Sequence, residues 1–149
     1  MISLELVAIL KNIDFKEMNP SLIPDVLITQ SELKEYFTSE EIQVFSDYLT
    51  YQRVEIGSSV MAEGEPADCL MYMVSGKARV LAEGIQIGEI EVGDFFGENM
   101  FSHEGARSAT VQAVDSCDVA VFTLEDYAKF IRNSSNLAVK FRDYFIAIG

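Results

Sequence analysis

The stretch Gly93-Asp94-Phe95-Phe96-Gly97-Glu98-Asn99-Met100-Phe101, with Arg107-Ser108-Ala109-Thr110-Val111 beginning nine residues after Glu98, is unlike the rest of the chain. Its first half places a Gly-Glu pair before a short segment of helical character. Free backbone N–H groups at the start of a helix attract anions. Its second half sets Arg107 at the foot of the apolar run Ala109 to Val114, and arginine presents a planar fork of donors that matches phosphate. Glu98 is an acceptor when ionised, which suits a sugar hydroxyl. A ligand that carries both an anion and a diol satisfies both residues. An internal Glu98–Arg107 salt bridge is the plainer alternative.

Around this stretch, residues 52–123 are punctuated by turn chemistry: Gly57, Gly64-Glu65-Pro66, Ser75-Gly76, Gly84, Gly88, Gly93-Asp94, Gly97 and Gly105. Between the turns lie short runs such as Leu70-Met71-Tyr72-Met73-Val74. Short strands separated by turns predict a sandwich, jelly roll or small barrel. On the N-terminal side, Leu4, Val7, Ala8, Leu10 and Ile13 recur at helical spacing, Asn19-Pro20 and Pro24 interrupt the pattern, and residues 30–36 form a second short helical piece. Thr38 with Glu41 matches a capping box, and Ile42, Phe45 and Leu49 mark a helix that ends near Tyr51. On the C-terminal side, Glu125 and Asp126 occupy the first turn of a helix that buries Tyr127, Phe130 and Ile131. After Asn133-Ser134-Ser135 a last helix carries the stripe Leu137, Phe141, Tyr144, Phe145 and Ile148. The expected division is a helical extension at 1–36, a β-barrel with flanking helices at 37–133, and a C-terminal helix at 134–149.

Composition narrows the partners. The 149 residues suit one domain, and 24 acids against 11 bases give a net charge of −13. Such a chain is a poor DNA binder and is repelled by anionic membrane surfaces. An anionic ligand then requires a local attraction that overcomes the global field. Cys69 and Cys117 read as reduced, partly buried thiols, which with the lack of a secretory pattern leads us to expect a cytoplasmic protein. No run approaches the roughly 20 apolar residues of a membrane span.

The ordered glycine framework resembles the cyclic-nucleotide-binding domain family, which includes bacterial catabolite activators, kinase regulatory subunits and gated channels. The resemblance covers about residues 37–131. Val54-Glu55-Ile56-Gly57 with Val60, and Glu63-Gly64-Glu65-Pro66-Ala67-Asp68, look like its opening strands and first turn. Tyr72 to Val80 look like the next hairpin, Ile87-Gly88-Glu89-Ile90 and Gly93 to Glu98 lead into its phosphate-binding cassette, and Arg107 to Val111 close it. The resemblance implies a mainly β fold with flanking helices, a double-stranded β-helix (jelly-roll) barrel. It implies ligand contacts from Phe96, Gly97, Glu98, Asn99, Met100, Arg107, Ser108 and Ala109. In those terms Arg107 pairs with the cyclic phosphate and Glu98 accepts from the ribose 2′-OH. Gly97, Glu98 and Met100 line the ligand through backbone atoms, and Ser108 donates its N–H. Val60, Met73, Leu81 and Phe96 are candidates for base contacts, or are core residues like most apolar strand side chains. His103 either approaches the phosphate or stands exposed, and Glu104 weakens anion binding if it turns inward. The cassette loop carries Asn99 and Phe101-Ser102-His103-Glu104 where the family usually has more aliphatic residues.

The functional expectation is a cAMP- or cGMP-binding regulatory module, not an enzyme, that signals to a partner protein or a second copy through movement of its helices. No cofactor beyond the nucleotide, no metal, no direct DNA contact and no membrane contact are expected. About 15 residues follow Asn133, too few for a helix-turn-helix unit. The last helix is then a lid, a dimer seam or a helix packed on the barrel, and the N-terminal extension a docking element. The alternative is a module of the same fold that binds no nucleotide. A cupin-type metal enzyme needs clustered histidines, and the chain has one.

Overall fold

A computed structural model describes residues 19–102 and 105–148. The expected helix at the N-terminus, His103 and Glu104 lie outside the described residues. Two prolines that read as interruptions turn out to start structure. Pro20 opens a 3-10 turn, Pro20–Leu22, and Pro24 sits in the first turn of α1, Ile23–Gln30. The first N–H groups of a helix have no intrahelical acceptor, so proline costs nothing there. A second 3-10 turn, Glu32–Glu35, supplies the short piece expected after residue 30. Helix α2, Ser39–Ser46, begins with the predicted capping box: Thr38 and Glu41 each accept from the other's backbone N–H. It stops at Ser46 rather than near Tyr51, because strand β1, Thr50–Val54, claims the following residues by pairing with β8, Cys117–Thr123.

Among the described residues eight strands form two antiparallel sheets. One runs β1-β8-β3-β6, with β3 at Cys69–Ser75 and β6 at Phe95–Phe96. The other runs β2-β7-β4-β5, with β2 at Ser59–Met61, β4 at Ala78–Ala82, β5 at Ile85–Ile90 and β7 at Thr110–Ala113. This is the expected jelly roll, built as two facing sheets that stay open at their edges instead of closing into a barrel.

The two central strands of the first sheet explain the three layers. In β3 and β8 Met71 lies opposite Val121, Tyr72 opposite Ala120 and Met73 opposite Val119. Side chains alternate across a strand. Met71, Met73, Val119 and Val121 therefore point between the sheets, where they join Ala78, Val111 and Ala113 of the second sheet. Leu70, Tyr72, Ala120 and Phe122 point the other way into a helical layer. Both faces are covered, so Cys69 to Val74 of β3 and Val119 to Phe122 of β8 read as unbroken apolar runs.

That helical layer collects α1, α2, α3 (Leu124–Asn133) and α4 (Ser135–Ile148). Val26, Leu27, Leu33, Phe45, Phe130, Phe141 and Phe145 share one core there, so residues 23–37 and the last helix pack on the same sheet face. The Phe141 ring stacks on Phe37 at 3.9 Å and on Phe45 at 4.5 Å. The packed-helix alternative for α4 is the arrangement observed. Ile131 and Ile148, expected on buried faces, are exposed, and Ala138 is buried in their place.

Candidate functional site

Strand β6 is short, and its pairing with β3 sets Phe96 opposite Met71. Phe96 is thereby buried between the sheets, and the chain leaves the sheet at Gly97. Gly97 has φ +85°, in the left-handed region, and starts a 3-10 turn over Glu98–Phe101. A Cβ at this position would lie 2.7 Å from the Cys69 carbonyl oxygen and 2.5 Å from Met61 Cε. Glycine is required here for both conformation and space.

Arg107 is fixed from its backbone outward. Its N–H donates to Glu65 O at 2.8 Å and its carbonyl accepts from Gly64 N–H at 2.9 Å, tying it to the β2–β3 turn. The side chain runs inward and is only 6% exposed. Nη2 donates to Cys69 O at 2.5 Å, and Nη1 donates to Gly97 O at 3.2 Å and to Asn99 Oδ1 at 2.6 Å. Three oxygen acceptors hold a buried guanidinium without a carboxylate among the described residues. The Glu98–Arg107 salt bridge, the plainer reading of the motif, does not form. The Glu98 side chain makes no hydrogen bond within the described residues. Burial pushes the Cys69 thiol above its ordinary pKa, with the Arg107 charge pulling the other way.

These groups surround a cleft of about 310 Å³. Phe96, Gly97, Glu98, Asn99, Arg107, Ser108 and Ala109 all line it, with Met61, Val80, Ile90 and Val111 as apolar walls. Of the ligand residues expected from the sequence, Met100 alone is turned away. Its side chain is buried in the helical core, and its N–H donates to Gly97 O at 3.1 Å. Among the expected wall residues Phe96 lines the cleft, whereas Met73 is wholly buried between the sheets. Met61 and Val80 line it in place of their neighbours Val60 and Leu81. Val60 packs against the core between the sheets, the other role open to it, and register irregularities fall at Ser59/Met61 and at Val80/Leu81.

A larger cavity of about 460 Å³ lies behind the cassette turn, against Met100, Phe101, Leu124 and Tyr127. It contains neither Glu98 nor Arg107, so its size does not make it the better candidate. No residue of α3 or α4 lines the first cleft. The cleft offers a cationic fork, a nearby unengaged carboxylate and an apolar floor. That combination can hold an anion, a hydroxyl and a flat apolar group at once.

Comparison with known proteins agrees with this chemistry. Residues 51–134 match the family described as the cyclic nucleotide-binding domain. A cGMP-dependent protein kinase of Toxoplasma gondii is 33% identical over 79 residues, covering 53% of this chain and 8% of the kinase. A cAMP-dependent protein kinase regulatory subunit of Yarrowia lipolytica is 33% identical over 95 residues, covering 62% of this chain and 25% of that subunit. The chain thus spans a quarter or less of the length of these curated relatives. Among solved structures, a catabolite activator protein of Thermus thermophilus superposes with a TM-score of 0.66 at 25% identity, over 78% of this chain and 57% of that one. A cyclic nucleotide-binding domain from Methylobacillus flagellatus shares the fold with a TM-score of 0.68 at 23% identity, over 82% of this chain and 71% of that one.

Proposed function

The chain belongs to the cyclic nucleotide-binding domain family, and from that premise we propose that it is a regulatory module that binds cAMP or cGMP in the Glu98–Arg107 cleft. The observation that carries the reading is the assembly of Glu98, Arg107 and Ser108 around one apolar-floored cleft, with the Glu98 carboxylate unengaged among the described residues. In this reading Arg107 pairs with the cyclic phosphate, Glu98 accepts from the ribose 2′-OH, and the base rests on the apolar wall. It needs no further cofactor, and the module binds rather than catalyses.

The signal would travel through the cassette turn. Phe101, at the end of that turn, faces the Phe145 ring of α4 at 5.9 Å and the Tyr127 ring of α3 at 5.2 Å. A ligand that favours one position of the turn biases the helices packed on it, and a partner chain reads the difference.

Calorimetric titration with cAMP and with cGMP tests the proposal. We expect saturable binding of at least one. No heat with either at millimolar ligand would leave a module of the same fold that binds no nucleotide. Glu98→Ala supplies the finer test. The wild type should bind the 2′-deoxy analogue about tenfold more weakly than the parent nucleotide, and the variant should no longer discriminate, because the hydroxyl's charged acceptor is gone. Persistent discrimination in Glu98→Ala would remove Glu98 from the ribose.

A further inference from the structure

Arginine has donors only, so whatever side chain meets it in the cleft must present an acceptor. In this structure Asn99 supplies the side-chain oxygen, its Oδ1 2.6 Å from Arg107 Nη1, while the buried Cys69 Sγ lies 3.5 Å from Nη2. The other oxygens on the guanidinium are the backbone carbonyls of Gly97 and Cys69, which are fixed by the cassette turn and by β3. Asn99 is therefore the movable member of the set. It also lines the cleft, beside Glu98 and Ser108.

An anion that approaches Arg107 from the cleft competes with the Asn99 amide oxygen for the same N–H. An amide differs from a carboxylate in having two faces. Turned about its last torsion, it withdraws the oxygen and presents two N–H donors. This matters where charge is scarce: among the described residues the cleft is lined by one cation, Arg107, and one carboxylate, Glu98, on a chain of net charge −13. A neutral residue that supplies donors to a phosphate adds attraction without the cost of burying a second charge.

We propose that Asn99 is a second phosphate-contacting side chain of this cleft, accepting from Arg107 until an anion docks and then turning its amide to donate to that anion. The proposal rests on the cyclic-nucleotide reading above and assigns the cassette's polar residue a role in the site.

The experiment compares wild type, Asn99→Ala, Asn99→Ser and Asn99→Asp, each confirmed as folded by thermal melting and titrated with cAMP and cGMP. Removing one hydrogen bond to a charged group should weaken binding about tenfold in Asn99→Ala. Asn99→Ser keeps a short donor and should stay within about threefold of wild type. Asn99→Asp has nearly the shape of asparagine but cannot donate when ionised. It also sets a negative charge beside the phosphate, and should lose about 100-fold. The two phosphorothioate diastereomers of the bound nucleotide separate direct contact from loosening of the turn. Direct contact with one exocyclic oxygen makes Asn99→Ala change their affinity ratio, whereas loosening weakens both equally. Ala binding as tightly as wild type, Asp binding no worse than Ala, or an unchanged diastereomer ratio would overturn the proposal while leaving the nucleotide reading intact. A wild-type protein that binds neither nucleotide overturns both.

Discussion

At the scale of single residues, Gly97 combines two demands that the sequence shows only as one letter. Its φ of +85° would strain any side chain, and its missing Cβ leaves room for the Cys69 carbonyl that receives Arg107. Gly97→Ala should cost about 2–4 kcal/mol, from left-handed strain plus a backbone collision. It should also displace Arg107, so ligand affinity falls together with the melting temperature. Chemical denaturation and a ligand titration of the same sample check this, and a variant with unchanged stability would remove the packing argument. The meeting of Glu98 and Arg107 in one cleft was legible from the order of the motif, through its resemblance to the family's cassette. What could not be read was that Arg107 is held by two backbone carbonyls and Asn99. Those partners come from β3 and the cassette turn, and backbone carbonyls leave no sequence signal.

At the scale of elements, local chemistry was a good guide where both partners lie within one turn. The capping box at Thr38/Glu41 is local, and so is the turn framework. The misreadings arose where a distant element decides. Helix α2 yields Tyr51 to β1 because β8 supplies a pairing partner, and Ile148 is exposed because the helical core closes at Phe145. The Glu41 carboxylate shows local and distant effects together. It accepts from Thr38 N–H at 2.9 Å and from Lys140 Nζ of α4 at 3.1 Å, and both lower its pKa, the backbone donor first. A lowered value in the folded state means stability that is present above the ordinary glutamate range and lost as pH falls through the lowered value. The pair is partly exposed and screened, so its share is about 0.5 kcal/mol. Between neutral pH and pH of about 3, the melting temperature of wild type should fall slightly further than that of Glu41→Gln. Parallel melting curves would contradict the assignment.

At the scale of the whole molecule, the jelly roll was legible and the three layers were not. The runs Cys69 to Val74 in β3 and Val119 to Phe122 in β8 are apolar at every position, which identifies strands covered on both faces but not what covers them. The charge balance acts at this scale too. In the proposed reading, a nucleotide monoanion approaches a body of net charge −13 before it meets Arg107. Salt shortens that repulsion, with a screening length of about 10 Å at 0.1 M, while the buried contact with Arg107 is little screened. The association rate should therefore rise about two- to fivefold between roughly 10 and 200 mM salt. Stopped-flow measurements that show a steep fall instead would mean that local positive potential dominates the approach. The aromatic packing of the helical layer has a separate consequence. Phe145 meets the rings of Phe95 beside the cleft, Phe101 at the end of the cassette turn, and Phe141 and Tyr144 on its own helix. The chain contains no tryptophan. One indole placed in that ring cluster would be the molecule's sole long-wavelength emitter, and small shifts between turn and helix would change its colour, so this natural core has a ready place for an optical gauge of its own movement.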